Sequence, residues 1–442
     1  MRTNLFVRMS DRIMVNKDKY GVRYSPEGDV LIHAPKSLKG EYRIPNEVRE
    51  ICDGAFAFCN KLKNVYIPDS VTIIGSNIFM GCEHIDAIIF NSHFFVRLPV
   101  NYKGDYTIPE GINEVLPEAF KGCKSLTSIT FPESVKKVSR EAFSGCSELK
   151  YVTLSKSIEL IDALAFSDCI NLTSIFIPSG IKEIRKRAFA RCRNLASIEV
   201  DRNNQKYCST EGILFKKDNK SLVLCPNGFQ GQCIIPEGVE KVFAGAFNGC
   251  SKVESIIIPN SITKISTQMF EGCFGVKNIQ LHDCIMEIDT QAFSGCANLS
   301  RINIPDGVTS IGTGAFWGCA NLKSISIPDS VTEMGFGIFQ YCSSLEYVDW
   351  PQKITYIDSF MFEHCLNLSS FSLPNRIESI GEGAFENCRN LHTIRIPSSL
   401  KNVHETTFNG CKLEKVLVPI GQIEIFSQMK GLKRFAKIMV EE

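Results

Sequence analysis

Apolar positions recur along this chain in a fixed order: Leu, then an Ile-x-Ile step, Pro-x-Ser-Val, a further apolar residue, and Phe-x-x-Cys. The stretch from Leu322 to Cys342 carries a fair copy in Leu322, Ile325, Ile327, Pro328, Ser330, Val331, Met334, Gly335, Phe339 and Cys342. The Ile-x-Ile step has period two, which predicts a short strand with both isoleucines on the inner face. Pro328 has no N–H and ends that strand. Val331 and Met334 make a second inward-facing segment, and Ile338-Phe339-Gln340 reads as one helical turn that drives Phe and Cys into the core.

The Phe-x-x-Cys string occurs fourteen times, from Phe56/Cys59 to Phe408/Cys411, with Phe143/Cys146, Phe293/Cys296 and Phe316/Cys319 as representative pairs. Its cysteines are 23 residues apart at eleven of thirteen steps, and the two exceptions, 41 and 58, are 23 plus insertions of 18 and 35. Gly precedes the cysteine in eight of the fourteen units, which points to a turn needing positive φ. A unit of 23 residues cannot enclose a core, so neighbouring units must stack. Seventeen strands are expected in one parallel sheet spaced about 4.8 Å apart, giving a curved rod on the order of 80 Å long.

Period and pattern resemble the BspA-like branch of bacterial leucine-rich repeat proteins, over about residues 40–420. The resemblance implies a leucine-rich repeat solenoid: a right-handed coil with a parallel concave sheet, short strands and helical turns on the convex side, and β-hairpin insertions. The commonest leucine-rich pattern has Asn or Cys after its Leu-x-Leu step. Here that region carries Pro-x-Ser, as in Pro132-Glu133-Ser134, and the cysteine follows the Phe.

The division expected is an N-terminal segment and hairpin cap (1–45), the solenoid (46–419) and a C-terminal cap (420–442). The insertion near 201–236 repeats the plan of residues 20–45, apolar runs either side of a turn, and that near 91–109 keeps only its second half, from Phe94-Phe95-Val96; in all three a proline stands ten residues before the Ile-Pro proline. They are expected to be β-hairpins emerging from the rod. After Pro419 the period stops, and Ile423, Phe426, Met429, Phe435 and Ile438 alternate with charges, as a segment covering the exposed end would. The first 19 residues have Leu5-Phe6-Val7 as their longest apolar run, so no signal-peptide core is read there.

Composition narrows the function. Lysine plus arginine number 49 against 48 acids, which removes the electrostatic case for a nucleic-acid partner. No apolar run reaches the roughly 18 residues of a membrane span. Fourteen of the 19 cysteines are repeat positions whose Cβ vectors run parallel, so they are expected as buried free thiols. A local bridge among Cys208, Cys225 and Cys233 stays open. No Cys-x-x-Cys occurs, His364 beside Cys365 lacks further ligands, and the seven histidines occupy unrelated repeat phases. No metal, cofactor or catalytic group is therefore called. Asn-x-Ser triplets at Asn171, Asn298 and Asn367 follow from the repeat's own wording.

What remains is surface. Outward strand positions are mostly Ser, Thr or Asn, and Tyr66, Ile89, Tyr151, Phe176, Ile234, Ile257 and Tyr347 interrupt them. They read either as scattered surface apolars, some under the hairpins, or as a protein-binding patch. The chain is read as a non-catalytic, monomeric interaction scaffold for a protein ligand. The family resemblance implies adhesion or recognition at the cell surface, with a host matrix or surface protein as partner. An intracellular scaffold is the alternative, and an enzyme a remote third.

Overall fold

The computed structural model describes residues 15–442, so the reading of the segment around Leu5-Phe6-Val7 lies outside the described residues. The chain is a parallel β-solenoid of about 18 turns. Its described residues pack as two compact units, one of residues 15–172 with Phe176–Cys192, the other of Thr173–Ile175 with Arg193–Glu442.

Each coil places two strands. The Ile-x-Ile step forms the first, as in Ser324–Ser326 beside Tyr347–Asp349, in register Ser324↔Tyr347, Ile325↔Val348 and Ser326↔Asp349. Ile325 and Ile327 are buried, as the period of two requires. This row is not one sheet of seventeen strands. It is divided into parallel ladders of two to four strands, and residues 301–305 carry no strand. The second inward segment is also a strand, only two residues long: Lys264–Ile265, Glu287–Ile288, Ser310–Ile311 and Glu333–Met334 pair parallel in one ladder.

The expected helical turn is not formed. Among the described residues the one α-helix is Ile423–Ser427, followed by the 3-10 helix Lys433–Ile438. The reason is the backbone on either side of each ladder Phe. The residue two after it has positive φ in all fourteen coils: Gly in eight, and Phe58, Asp168, Arg191, Tyr341, His364 and Asn387 in the rest. The residue two before it is positive as well in every coil but that of Phe408, for example Gln291 (56°), Gly314 (59°) and Gly337 (60°). A right-handed helix cannot run through such positions. The chain makes successive β-turns instead, with Trp317 N–H donating to Gly314 O at 3.0 Å and Cys319 N–H to Phe316 O at 3.1 Å. The remaining amides reach the next coil, as Phe316 N–H does to Ile338 O and Phe339 N–H to Met361 O, both at 3.0 Å.

Inside these turns the phenylalanines stack ring over ring. In the second unit the column is unbroken from Phe247 to Phe408, with centroid spacings such as 5.2 Å for Phe293–Phe316 and 5.8 Å for Phe316–Phe339. Offset stacks at this separation add to the area each ring buries. In the first unit Phe95, outside the Phe-x-x-Cys count, stacks on Phe120 at 4.7 Å and takes a ladder position.

The three hairpins share the plan read from the sequence, but they are built into the coils. Val30–His33, Phe94–Arg97 and Ser221–Leu224 each pair antiparallel on one side and parallel with a short second-row strand on the other. Tyr207, Phe215 and Phe95 among their residues are fully buried. At the C-terminal end Phe435 packs edge-on against Phe408 at 5.9 Å, and Met439–Glu441 adds a parallel strand to Lys415–Val418.

Gly318 has φ 68° and room for a methyl group, so Gly318→Ala should cost about 1–2 kcal/mol through backbone strain alone. Exposed Arg187 sits at 60° two residues before Phe189, and Arg187→Gly should stabilise by about 0.5–1 kcal/mol. Urea midpoints check both signs. Phe316→Ala should cost about 3–5 kcal/mol by opening a cavity in the stack. Hydrogen exchange should quicken first in the coils of Phe293 and Phe339; uniform acceleration through the unit would contradict nearest-neighbour stacking.

Candidate functional site on the strand face

Two columns of side chains face outward from the first strand row. In the first unit one column runs Asp105, Ser128, Tyr151 in direct register. The other runs Thr107, Thr130, Thr153, and Phe176 follows one repeat later. Tyr151 and Phe176 therefore sit diagonally on adjacent coils, 69% and 50% exposed. Asp105 accepts a 2.5 Å hydrogen bond from Thr127 Oγ1, and hydroxyl donors there hold its carboxyl below the usual range. A carboxylate that stays charged thus stands two strands from the Tyr151 ring. In the second unit Ile234 and Ile257 are paired directly across the ladder and both exposed. Tyr347 stands opposite Ser324, with Ser326 Oγ donating to Asp349 at 2.9 Å in the next column.

Two candidates differ from expectation. Ile89 is buried, because Ile89–Phe90 pairs antiparallel with Phe94–Arg97 instead of continuing the parallel row. That change of pairing turns Ile88 and Phe90 outward in its place, as a shift of one residue must. Tyr66 is exposed on one side only: the Arg43 guanidinium lies 3.8 Å from its ring centroid, and its hydroxyl meets Glu41 at 3.3 Å. Its partner is already in the chain.

The thiols do other work. All nineteen cysteines are free, including Cys208, Cys225 and Cys233. Cys146 Sγ donates to Phe120 O at 3.1 Å, Cys296 to Phe270 O at 3.2 Å, Cys319 to Phe293 O at 3.3 Å and Cys342 to Phe316 O at 3.1 Å. Each of these four thiols thus bonds the carbonyl of the Phe in the preceding coil, which also accepts its own turn's cysteine N–H, whereas Cys59, Cys123 and Cys250, which follow the hairpins, bond carbonyls of Pro35, Pro99 and Pro226. The Pro-x-Ser serines do likewise: Ser134 Oγ donates to Ile112 O and Ser330 Oγ to Val308 O, both at 2.6 Å. Small buried donors at these two positions explain both departures from the commoner leucine-rich pattern. Burial pushes the Cys146, Cys296, Cys319 and Cys342 thiols up, Cys296 and Cys342 to about 12, so they stay protonated and are poor nucleophiles. Among the described residues no group of three or more His, Cys, Asp or Glu is placed to hold a metal ion. No helix there is long and apolar enough to cross a membrane.

A second set of exposed aromatics lies on the turn side. Trp317 meets Tyr341 edge-on at 5.6 Å, and Tyr341 stacks on His364 at 4.7 Å. Sequence reading passed over them because it treated the two positions after the Phe as turn filler. Part of their signal is present, since Tyr341 and His364 stand where eight of the fourteen coils carry Gly.

A raised thiol pKa has a defined sign. The protonated thiol is favoured by folding, so this stabilisation is complete below the unfolded value of 9 and is lost as pH rises toward the folded value of about 12. The melting temperature should therefore hold up to about pH 9 and fall steeply above it. Native protein should resist alkylation at its ladder cysteines while denatured protein takes up label at all nineteen. A melting curve indifferent to alkaline pH would mean that these thiols are not buried.

The BspA type leucine-rich repeat family matches this chain at residues 36–98, 104–211, 230–345 and 309–429. No curated protein sequence matches it. Among solved structures, the pneumococcal vaccine antigen PcpA is similar at 18% identity and TM-score 0.54, covering 97% of this chain and 99% of that one. A leucine-rich repeat protein from Eubacterium ventriosum is similar at 22% identity and TM-score 0.52, covering 88% and 92%. A leucine-rich repeat protein from Bacteroides ovatus shares 23% identity at TM-score 0.49, covering 99% of each chain.

Proposed function

The chain belongs to the BspA-type leucine-rich repeat family, and from that premise we propose that it is a non-catalytic scaffold whose strand face binds a protein. The observation that carries this reading is the contrast along the two outward columns. Ser, Thr and Asn offer hydrogen bonds and little apolar area, whereas Tyr151, Phe176, Ile234, Ile257 and Tyr347 present large exposed side chains. Aromatic residues in such settings concentrate binding energy, and the flat columns around them can exclude water. Tyr151 with Phe176 is the pair we assign as the anchor, flanked by the charged Asp105.

The role in the cell that we propose is recognition at the cell surface, with an extracellular matrix or surface protein of a host as partner. Fractionating the source cells separates this from an intracellular scaffold, since surface display requires the chain in the envelope or medium. Binding to immobilised matrix proteins tests the site. Tyr151→Ala combined with Phe176→Ala should weaken such binding by about 2 kcal/mol or more and leave the melting temperature nearly unchanged. Unchanged affinity would move the site off this face, and a large fall in melting temperature would show that the rings support the fold.

A further inference from the structure

On the turn side of the second unit, a cleft of about 370 Å³ runs across four successive coils. Its origin is local. In most coils the position two before the ladder Phe carries a side chain, such as Gln268 or Gln291, which bond one another across adjacent turns. Here two consecutive coils carry Gly314 and Gly337, and the groove stays open. A Cβ on Gly314 would lie 3.6 Å from both Gln291 Cγ and Trp317 Cβ, so any side chain there would stand inside the cleft. Trp317 and Phe336, 41% and 54% exposed, supply two ring faces. The Trp317 ring is steadied by Tyr341, which is itself stacked on His364.

The polar lining is Glu271, Gln291, Ser294, Thr313 and Gln340, with no cation. Gln291 Oε1 accepts a 2.9 Å bond from Gln268, which leaves its amide hydrogens as what it has to offer a ligand. Gln340 donates its amide to Glu363, and its Oε1 stands 3.3 Å from the Cβ position of Gly337, on the cleft floor. Glu271 is already bound by Asn248 at 2.5 Å, so its charge is partly answered within the protein. The cleft therefore presents donors and acceptors side by side between two aromatic faces, and its volume falls in the roughly 300–1,000 Å³ range of small-molecule sites. None of its residues lies in a strand, so no sheet edge is offered to an extended peptide. A ligand that fits has apolar C–H faces for the rings and neutral groups that both donate and accept.

We infer that this cleft is a binding site for a neutral oligosaccharide, whose ring C–H faces rest on Trp317 and Phe336 while its hydroxyls bond Gln291, Gln340, Thr313 and Glu271. This goes beyond the strand-face reading and stands on different residues. Trp317 also supplies the assay, because the only other tryptophan, Trp350, is buried. Tryptophan fluorescence of the full chain is titrated with cello-, malto-, xylo- and manno-tetraose and N-acetylchitotetraose. At least one should give a saturable change with a dissociation constant of roughly 0.1–1 mM. Gly314→Gln copies the residues of the neighbouring coils at the same backbone angle and fills the groove, while Phe336→Ala removes an exposed ring. Each should weaken the response at least about tenfold with Trp317 still in place. Tyr151→Ala with Phe176→Ala should leave it intact, which separates this site from the strand face. The inference is overturned if no oligosaccharide gives saturation, if Gly314→Gln and Phe336→Ala bind as the parent does, or if choline or a proline-rich peptide saturates the signal in place of every sugar.

Discussion

A coil of 23 residues leaves most of its hydrogen-bonding groups and one face of its core unsatisfied, and the next coil completes both. The turn carbonyls show this most directly. Phe316 O accepts the amide of Cys319 from its own turn and the thiol of Cys342 from the next. Val308 O accepts the hydroxyl of Ser330 in the same way. Each bond contributes only about 1 kcal/mol, but a buried carbonyl left without partners costs more than that. The stack is thus held in translational register by small buried donors, and a slip of one residue would break every such bond at once.

That register also fixes where charge can go. Side chains on the solvent side meet their own equivalents one repeat away, so like charges would line up and repel. In several columns opposite charges meet instead: Lys182 meets Glu159 at 2.9 Å, Lys264 meets Glu287 at 2.6 Å and Arg191 bonds Asp168 at 2.5 Å, each 23 residues apart. These exposed pairs are worth little individually. Their effect is to relieve column repulsion where they occur.

The periodic part of the structure was legible because it is a matter of counting. Phe, Cys and the Ile-x-Ile step recur every 23 residues outside the two insertions, and packing holds the Phe and Cys in the core of each coil. The helical turn misled because its apolar spacing is compatible with a helix, and the veto comes from backbone angles. Those angles are visible in sequence only where glycine occupies the site; Leu164, Arg187 and Phe360 hide the same requirement. Ile89 was misplaced because a hairpin replaces the parallel strand there, and periodicity cannot report a change of pairing partner. On the strand face, Tyr66 stood out by size, yet its cover by Arg43 is a contact between strands that no single repeat contains.

In a repeat of this kind the consensus positions are committed to the stack, so specificity has to come from departures in the outward columns. A departure is tolerated where the side chain points to solvent and the backbone angle is met, which is why Tyr341 and His364 can occupy sites that elsewhere hold Gly. The two exposed aromatic groups arise by opposite substitutions. On the strand face, large residues replace small ones and raise a patch above a flat surface. On the turn side, Gly314 and Gly337 stand where most coils have side chains, and the absence of a side chain there opens a groove that Trp317 and Phe336 line. Neither change disturbs the buried bonds between coils, so a solenoid can acquire or lose a binding surface at almost no cost to its fold. The same independence means that stability and recognition should respond to different substitutions.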